Sequence, residues 1–72
     1  MTPLDLGATI RQARREQGLR QDQLAAAANV GVRFIVDLEA GKPTAQIGKT
    51  FAVLAALGLT ITIGGTSWKA PL

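Results

Sequence analysis

The sequence contains no cysteine and no histidine. Without cysteine the chain can form no disulfide and offers no thiolate to a metal or a substrate. Without histidine it lacks the side chain that most often ligates metals and acts as a general base near neutral pH. The few carboxylates lie on different predicted elements with no catalytic partner. The composition therefore argues against an enzyme, and it predicts neither a metal site nor a cofactor.

The chain is also short, at 72 residues. A chain of this size buries only about 60% of its unfolded surface. Small folds therefore need a further source of stability, such as a disulfide, a metal or a partner chain. Association with a second copy is the remaining source here, so we expect a homodimer. The net charge of +3, from 8 basic and 5 acidic residues, fits binding to nucleic acid or to another acidic surface.

Targeting signals and membrane spans are not predicted. The first five residues lack the basic and apolar regions of a signal peptide. The uncharged run Thr50–Thr66 is shorter than the roughly 20 apolar residues that a spanning helix needs, and its period changes midway. We expect a cytoplasmic protein that does not contact a membrane.

Glycines at positions 18, 41 and 58 each follow a segment with helical periodicity. The segments between them predict four helices, at Leu4–Gln17, Gln21–Ala28, Val32–Ala40 and Ala45–Leu57. Thr44 is the expected N-cap of the fourth helix. The residues expected to face the core from that helix are Ile47, Phe51, Leu54 and Ala55.

After Gly58 the apolar period changes from 3.6 to 2, and Leu59–Ile63 alternates like a strand. It is the only good strand signal in the chain, and a lone strand leaves its backbone groups unpaired. We therefore predict that it pairs with the same strand of a second copy and buries Leu59, Ile61 and Ile63. The segment 64–72 has linker composition and is expected to be a flexible tail. The predicted fold is mainly α: a helix-turn-helix bundle over residues 1–58, and a dimerising strand over 59–63.

The predicted second and third helices, joined at Asn29–Gly31, suggest a helix-turn-helix unit. The second helix of such a unit enters the major groove with its N-terminal end toward the bases. Arg33 lies in that first turn and can donate two hydrogen bonds to guanine. Gln21 begins a helix whose amide and open N–H groups can bind a phosphate. The predicted DNA-binding residues are Gln21, Gly31, Val32, Arg33, Val36, Asp37 and Lys42.

Three of these residues have a second interpretation. Val32 and Val36 face outward by periodicity, which suits contact with thymine methyl groups or with a protein, but they can also pack against the core. Lys42 can reach the DNA backbone or be an ordinary solvated cation of a loop.

Beyond these local patterns, residues 10–59 resemble the Xre/Cro-repressor family of helix-turn-helix proteins. The matching residues are Ile10, Arg14, Gly18-Leu19, Gln21, Leu24-Ala25, Val30, Ile35, Leu38-Glu39, Gly41, Leu54 and Leu57-Gly58. The resemblance implies a lambda-repressor-like bundle that binds DNA through residues 31–37. It also implies a structural ion pair between Arg14 and Glu39. The sequence departs from the family at Arg20, where Thr or Ser is usual, and at Gly31, where many members have Ser.

Within that family, residues 33–44 and the strand at 59–63 are similar to HipB-like antitoxins of type II toxin–antitoxin systems. That resemblance implies a dimer paired through the strand and a sequence-specific repressor of its own operon. It also implies a HipA-like serine/threonine kinase toxin as the partner that is neutralised. Trp68, in a Gly/Ser-flanked tail, is predicted to dock into that partner, although it can instead pack on its own dimer. The alternative function is a protein-interaction module with the same fold and weak DNA binding.

Overall fold

The computed structural model describes the backbone of residues 1–69 and the side chains of residues 1–65. The elements in chain order are α1 Pro3–Glu16, α2 Gln21–Ala28, α3 Val32–Glu39, α4 Ile47–Ala56, β1 Thr60–Ile63 and β2 Thr66–Lys69. The four predicted helices and the predicted strand are confirmed, and a second strand follows them. None of the described helices is long and apolar enough to cross a membrane.

The first helix begins with a complete capping box. The Asp5 N–H donates to Thr2 Oγ1 at 3.2 Å, and the Thr2 N–H donates to Asp5 Oδ2 at 3.0 Å. Pro3 occupies the first turn, where its missing N–H has no helical acceptor to lose. The hydrogen bond from the Thr2 backbone holds the pKa of Asp5 below its usual value. Two donors at the start of α1 are satisfied within the chain itself.

Each helix contributes one fully buried side chain to the core. These four residues are Ile10, Leu24, Ile35 and Val53. The other core residues are Ala25, Ala28, Leu38, Leu54 and Leu57. Helix α2 packs against both α3 and α4, and α1 packs against α3. The core therefore holds α3 on two sides, by α1 and by α2, and leaves its outer face available.

Gly7 lets α1 approach the end of α3 closely. A Cβ atom at this position would lie 2.5 Å from the Leu38 carbonyl oxygen and 2.7 Å from that of Glu39. Real Cβ atoms do not come so near a backbone oxygen, so a larger residue would push the two helices apart. The sequence predicts no role for Gly7, because a glycine inside a helix gives no local signal of what packs against it.

The fourth helix differs from its prediction in both start and orientation. It begins at Ile47 with Gln46 as the N-cap, which makes no side-chain cap bond, so the expected Thr44 cap is wrong. The chain first turns at Pro43–Thr44, since proline favours a turn there.

Helix α4 buries Thr50, Val53 and Leu54, whereas Ile47 is 69% exposed and Phe51 is also exposed. Thr50 can be buried because its hydroxyl donates to the Gln46 carbonyl at 2.9 Å. The predicted inward face was therefore wrong at Ile47 and Phe51. Helix α4 has apolar residues on several sides and a single charged residue, so its sequence does not indicate which face is buried.

The predicted lone strand has a partner within the chain. Strands β1 and β2 pair antiparallel, with Ile63 opposite Thr66 and Ile61 opposite Trp68. Gly64 and Gly65 both adopt positive φ, as a two-residue type I′ turn requires. The prediction that this strand has no partner in its own chain is therefore wrong, because Gly64-Gly65 is a hairpin signal and Thr66–Lys69 forms a strand within the segment predicted to be a flexible tail.

Candidate nucleic-acid interface

Helices α2 and α3 form a tight helix-turn-helix unit. Asn29 ends α2 in the left-handed conformation, with φ of 56° and ψ of 46°. The next residue, Val30, donates its N–H to the Ala25 carbonyl at 3.0 Å, which closes the turn. Gly31 is the N-cap of α3 and makes no side-chain cap bond. The open N–H groups at the start of α3 can therefore donate to an external hydrogen-bond acceptor.

Helix α3 has one buried and one outward face, as a recognition helix requires. Ile35 and Leu38 lie in the core, while Gly31, Val32 and Arg33 are exposed at the N-terminal end. The Arg33 side chain is 83% exposed. About one turn further along the helix, Val36 and Asp37 are half-buried on the outward side. The α3 residues predicted to bind DNA thus lie on one helix face.

Asp37 joins two of the predicted DNA-binding cations. Its carboxylate lies 3.2 Å from Arg33 Nε and 3.7 Å from Lys42 Nζ. Arg33 and Lys42 are well exposed, so each pair alone adds little stability. The two cations and the Asp37 carboxylate together give this end of the interface one net positive charge.

The end of α3 is fixed by a buried bidentate ion pair. Arg14 Nε donates to Glu39 Oε2 at 2.7 Å, and Arg14 Nη2 donates to Glu39 Oε1 at 3.0 Å. The third Arg14 nitrogen, Nη1, donates to the Leu19 carbonyl at 2.8 Å. The side chains of Arg14 and Glu39 are only 10% and 4% exposed. This pair connects α1, the α1–α2 loop and α3, and so fixes the position of α3 relative to α1.

Gln21 belongs to the same network. Its Nε2 donates to Glu39 Oε1 at 3.3 Å, and the residue is half-buried. Its amide nitrogen is therefore directed toward the Arg14–Glu39 pair, whereas the sequence predicts that it binds a phosphate. In the structure Gln21 links the start of α2 to the end of α3.

A groove of about 390 Å³ runs between α1 and α3. We call it the α1–α3 groove. It is lined by Arg11, Arg14, Arg15, Gln21, Val36, Glu39 and Ala40. The helix-turn-helix pattern predicts no role for Arg11 and Arg15, because both lie on α1, outside that unit. Their spacing of four residues, which places two arginines on one face of α1, was the signal available.

The described arginines differ in their partners. Arg14 pairs with Glu39, Arg20 with Asp22 at 3.1 Å, and Arg33 with Asp37. The hydrogen bond from Arg20 lowers the pKa of Asp22. Arg11 and Arg15 are exposed and have no ion pair with any residue in the described part of the chain.

The predicted dimer residues separate into two groups. Leu59 and Ile61 are half-buried and pack against the chain's own core, whereas Ile63 is 74% exposed. The backbone of Trp68 lies in β2 opposite Ile61. Its side chain, which was predicted to dock into a partner, lies outside the described part of the structure.

Comparison with known proteins agrees with this geometry. A family model described as Helix-turn-helix matches residues 10–63, which span α2, α3, α4 and β1. An uncharacterized HTH-type transcriptional regulator, y4mF, of Sinorhizobium fredii (strain NBRC 101917 / NGR234) is 66% identical over 62 residues. The match covers 86% of this chain and 82% of that protein. With a tight turn between α2 and α3 and an outward recognition face, the chain belongs to the helix-turn-helix family.

Proposed function

We propose that the protein is a sequence-specific DNA-binding transcriptional repressor. The observation that carries this proposal is the first turn of α3, where the Arg33 side chain is 83% exposed and extends from a helix that is held on its other face. The name of the Sinorhizobium fredii relative, an HTH-type transcriptional regulator, supports it. A repressor needs no reaction chemistry, because occupying its operator blocks transcription.

The recognition helix would read bases in the major groove. Arg33 would donate to O6 and N7 of a guanine, and Val32 would contact a thymine methyl group at the same end of α3. Val36 lies one turn further along the outward side and would contact the next bases. Lys42, after α3, would reach a backbone phosphate. The rigid attachment of α3 through Arg14 and Glu39 keeps these contacts in register.

The protein would bind its operator as a homodimer. The small size of the domain and the exposed Ile63 support association, and within residues 1–69 each strand of the hairpin has only one neighbouring strand. A second hairpin adding to it would cover Ile63 and place two α3 helices about one helical turn, roughly 34–36 Å, apart on the DNA. Sedimentation at increasing concentration checks this, and Ile63→Lys should shift the protein toward the monomer. A protein that stays monomeric at every concentration contradicts the dimer.

Titration of the promoter that precedes its own gene tests DNA reading. We expect Arg33→Ala to weaken promoter binding by about 5- to 150-fold, which corresponds to the roughly 1–3 kcal/mol of one bidentate base contact. Binding to a random duplex should change much less. Arg20→Ala is the matched control, because it removes an exposed arginine that is also paired with a carboxylate. Equal binding of wild type to promoter and random duplex would contradict a sequence-specific repressor.

The antitoxin role is a second, narrower proposal. Its support is the similarity of residues 33–44 to HipB-like antitoxins and the exposed apolar side chain of Ile47, which can contact a protein. The partner would be a HipA-like kinase encoded in the same operon. Co-expression should yield a complex that inhibits the kinase, and truncation after Gly65 should weaken it if Trp68 docks into the toxin. Equal kinase affinity with and without residues 66–72 counts against the Trp68 contact. The protein-interaction alternative is favoured if the complex forms while the promoter is not bound.

A further inference from the structure

The two arginines that have no carboxylate partner in the described part of the chain lie on α1, outside the helix-turn-helix unit. Arg33 and Lys42 share the Asp37 carboxylate, and Arg14 is buried against Glu39. Arg11 and Arg15 are exposed arginines without an ion pair in the described part of the chain.

These two arginines lie on the same side of the molecule as the recognition face. Both line the α1–α3 groove, and so does Val36, which belongs to the outward side of α3. A ligand in the groove would therefore touch α1 and the recognition helix together. When α3 lies in the major groove of a DNA duplex, the phosphate backbone that borders this groove lies beside α3 and next to the α1–α3 groove.

Local energetics also favour an anion here. Arg11 and Arg15 are four residues apart on one helix, and like charges at this spacing repel each other. Glu16, the nearest acidic residue along α1, accepts a hydrogen bond from Gln12 instead. Two neighbouring backbone phosphates, one beside each guanidinium group, would relieve this repulsion, and the guanidinium shape suits phosphate oxygens.

We propose that Arg11 and Arg15 form a phosphate-binding clamp on α1 that grips the DNA backbone beside the recognition helix. This inference rests on the proposed DNA-binding function and adds a division of roles to it. The clamp supplies affinity that is independent of sequence, whereas Arg33 supplies discrimination between bases. Neither arginine was expected to contact DNA from the helix-turn-helix pattern.

The test is the salt dependence of binding by the Arg11→Ala/Arg15→Ala double variant. Each phosphate contact contributes about 0.9 to the slope of log K against log salt, so the slope should fall by about 1.8. At 0.1 M salt this corresponds to an affinity loss of about 60-fold, by extrapolation of that slope from 1 M. The loss should be equal on promoter and random duplex. Arg33→Ala should instead change the ratio between the two.

Two controls separate local contact from overall charge. Arg20→Ala/Lys49→Ala removes the same total charge at cations that already contact Asp22 and the Phe34 ring, and it should reduce the slope less. Arg11→Lys/Arg15→Lys should keep the slope, because counterion release depends on charge. The melting temperature of the alanine double variant should not fall, since both side chains are exposed.

Three results would overturn the clamp. One is an unchanged slope in the alanine double variant while wild-type binding remains salt-dependent, which would leave the proposed function intact. Another is an equal slope reduction in the control that lacks Arg20 and Lys49. The third is a wild-type protein that binds no duplex at all, which would refute the proposed function itself.

Discussion

Replacing Arg14 by methionine isolates the contribution of the buried ion pair. Methionine keeps most of the length of the side chain but removes all three hydrogen bonds that the guanidinium donates, two to Glu39 and one to the Leu19 carbonyl. The Glu39 carboxylate would remain 4% exposed, with the Gln21 amide at 3.3 Å as its remaining side-chain donor. A buried charge with so little compensation is the main cost of the change.

The expected cost is about 3–5 kcal/mol, the range for breaking a buried pair from one side. Domains have roughly 0.05–0.15 kcal/mol of stability per residue, so 72 residues give about 4–11 kcal/mol in total. At about 4–8 °C per kcal/mol for a domain of this size, the melting temperature should fall by at least about 12 °C. Arg14→Met should therefore be folded only marginally.

Urea unfolding monitored by circular dichroism measures this loss, and a double-mutant cycle with Glu39→Leu identifies its source. Arg14→Met/Glu39→Leu removes both charges, so it should be more stable than Arg14→Met alone. An Arg14→Met variant within about 1 kcal/mol of wild type would refute the reasoning. Strict additivity of the two single changes would show that the residues are not coupled.

Three further predictions concern other parts of the molecule. Gly7→Ala should destabilise the fold, because its Cβ would meet two α3 carbonyls. Gly48→Ala, in open space on α4, should stabilise the fold by up to about 1 kcal/mol. Thermal melts that rank the two variants in the opposite order would contradict the packing argument. Asp37→Asn should tighten binding to random DNA, since it releases Arg33 from its ion pair and removes a negative charge beside the phosphates, and unchanged affinity would oppose this view. Asp5 has a lowered pKa, so its stabilising effect is present above the ordinary value of about 3.9 and is lost as pH falls below it. Asp5→Asn should remove this part of the acid dependence, and melts that overlay wild type from pH 5 to 2 would show that the cap does not contribute.

The helices were predictable because their boundaries depend on local chemistry. Glycines after α1, α3 and α4 and an asparagine after α2 end the helices in the expected places. Strong periodicity in α3, with Ile35 and Leu38 inward, indicated its buried face correctly. The face of α4 was not predictable in the same way, because with a single charged residue several orientations bury similar apolar surface.

The hairpin and the charge pairs of the site could not be predicted from helical periodicity. Gly64-Gly65 is a usable turn signal. Thr66–Lys69, however, lacks strong alternation and has the composition of a linker, which predicts a flexible tail in place of the observed strand. In the site, periodicity indicated that Arg33 and Asp37 face outward but not that they bind each other. Which charges remain available for a ligand depends on pairs formed across the fold, such as Arg14 with Glu39, and these need coordinates.

The distribution of charge has a consequence for specificity. If both Arg33 and Lys42 acted as unpaired cations, α3 would bind any duplex tightly. The ratio of the affinity for the operator to the affinity for random DNA would then be small. Asp37 reduces that attraction at the surface that is proposed to read bases. Sequence-independent attraction then has to come from cations that do not read bases, and in the described part of the chain Arg11 and Arg15 are the arginines without a carboxylate partner. A small protein with a net charge of +3 can thus separate affinity from discrimination by assigning them to different helices.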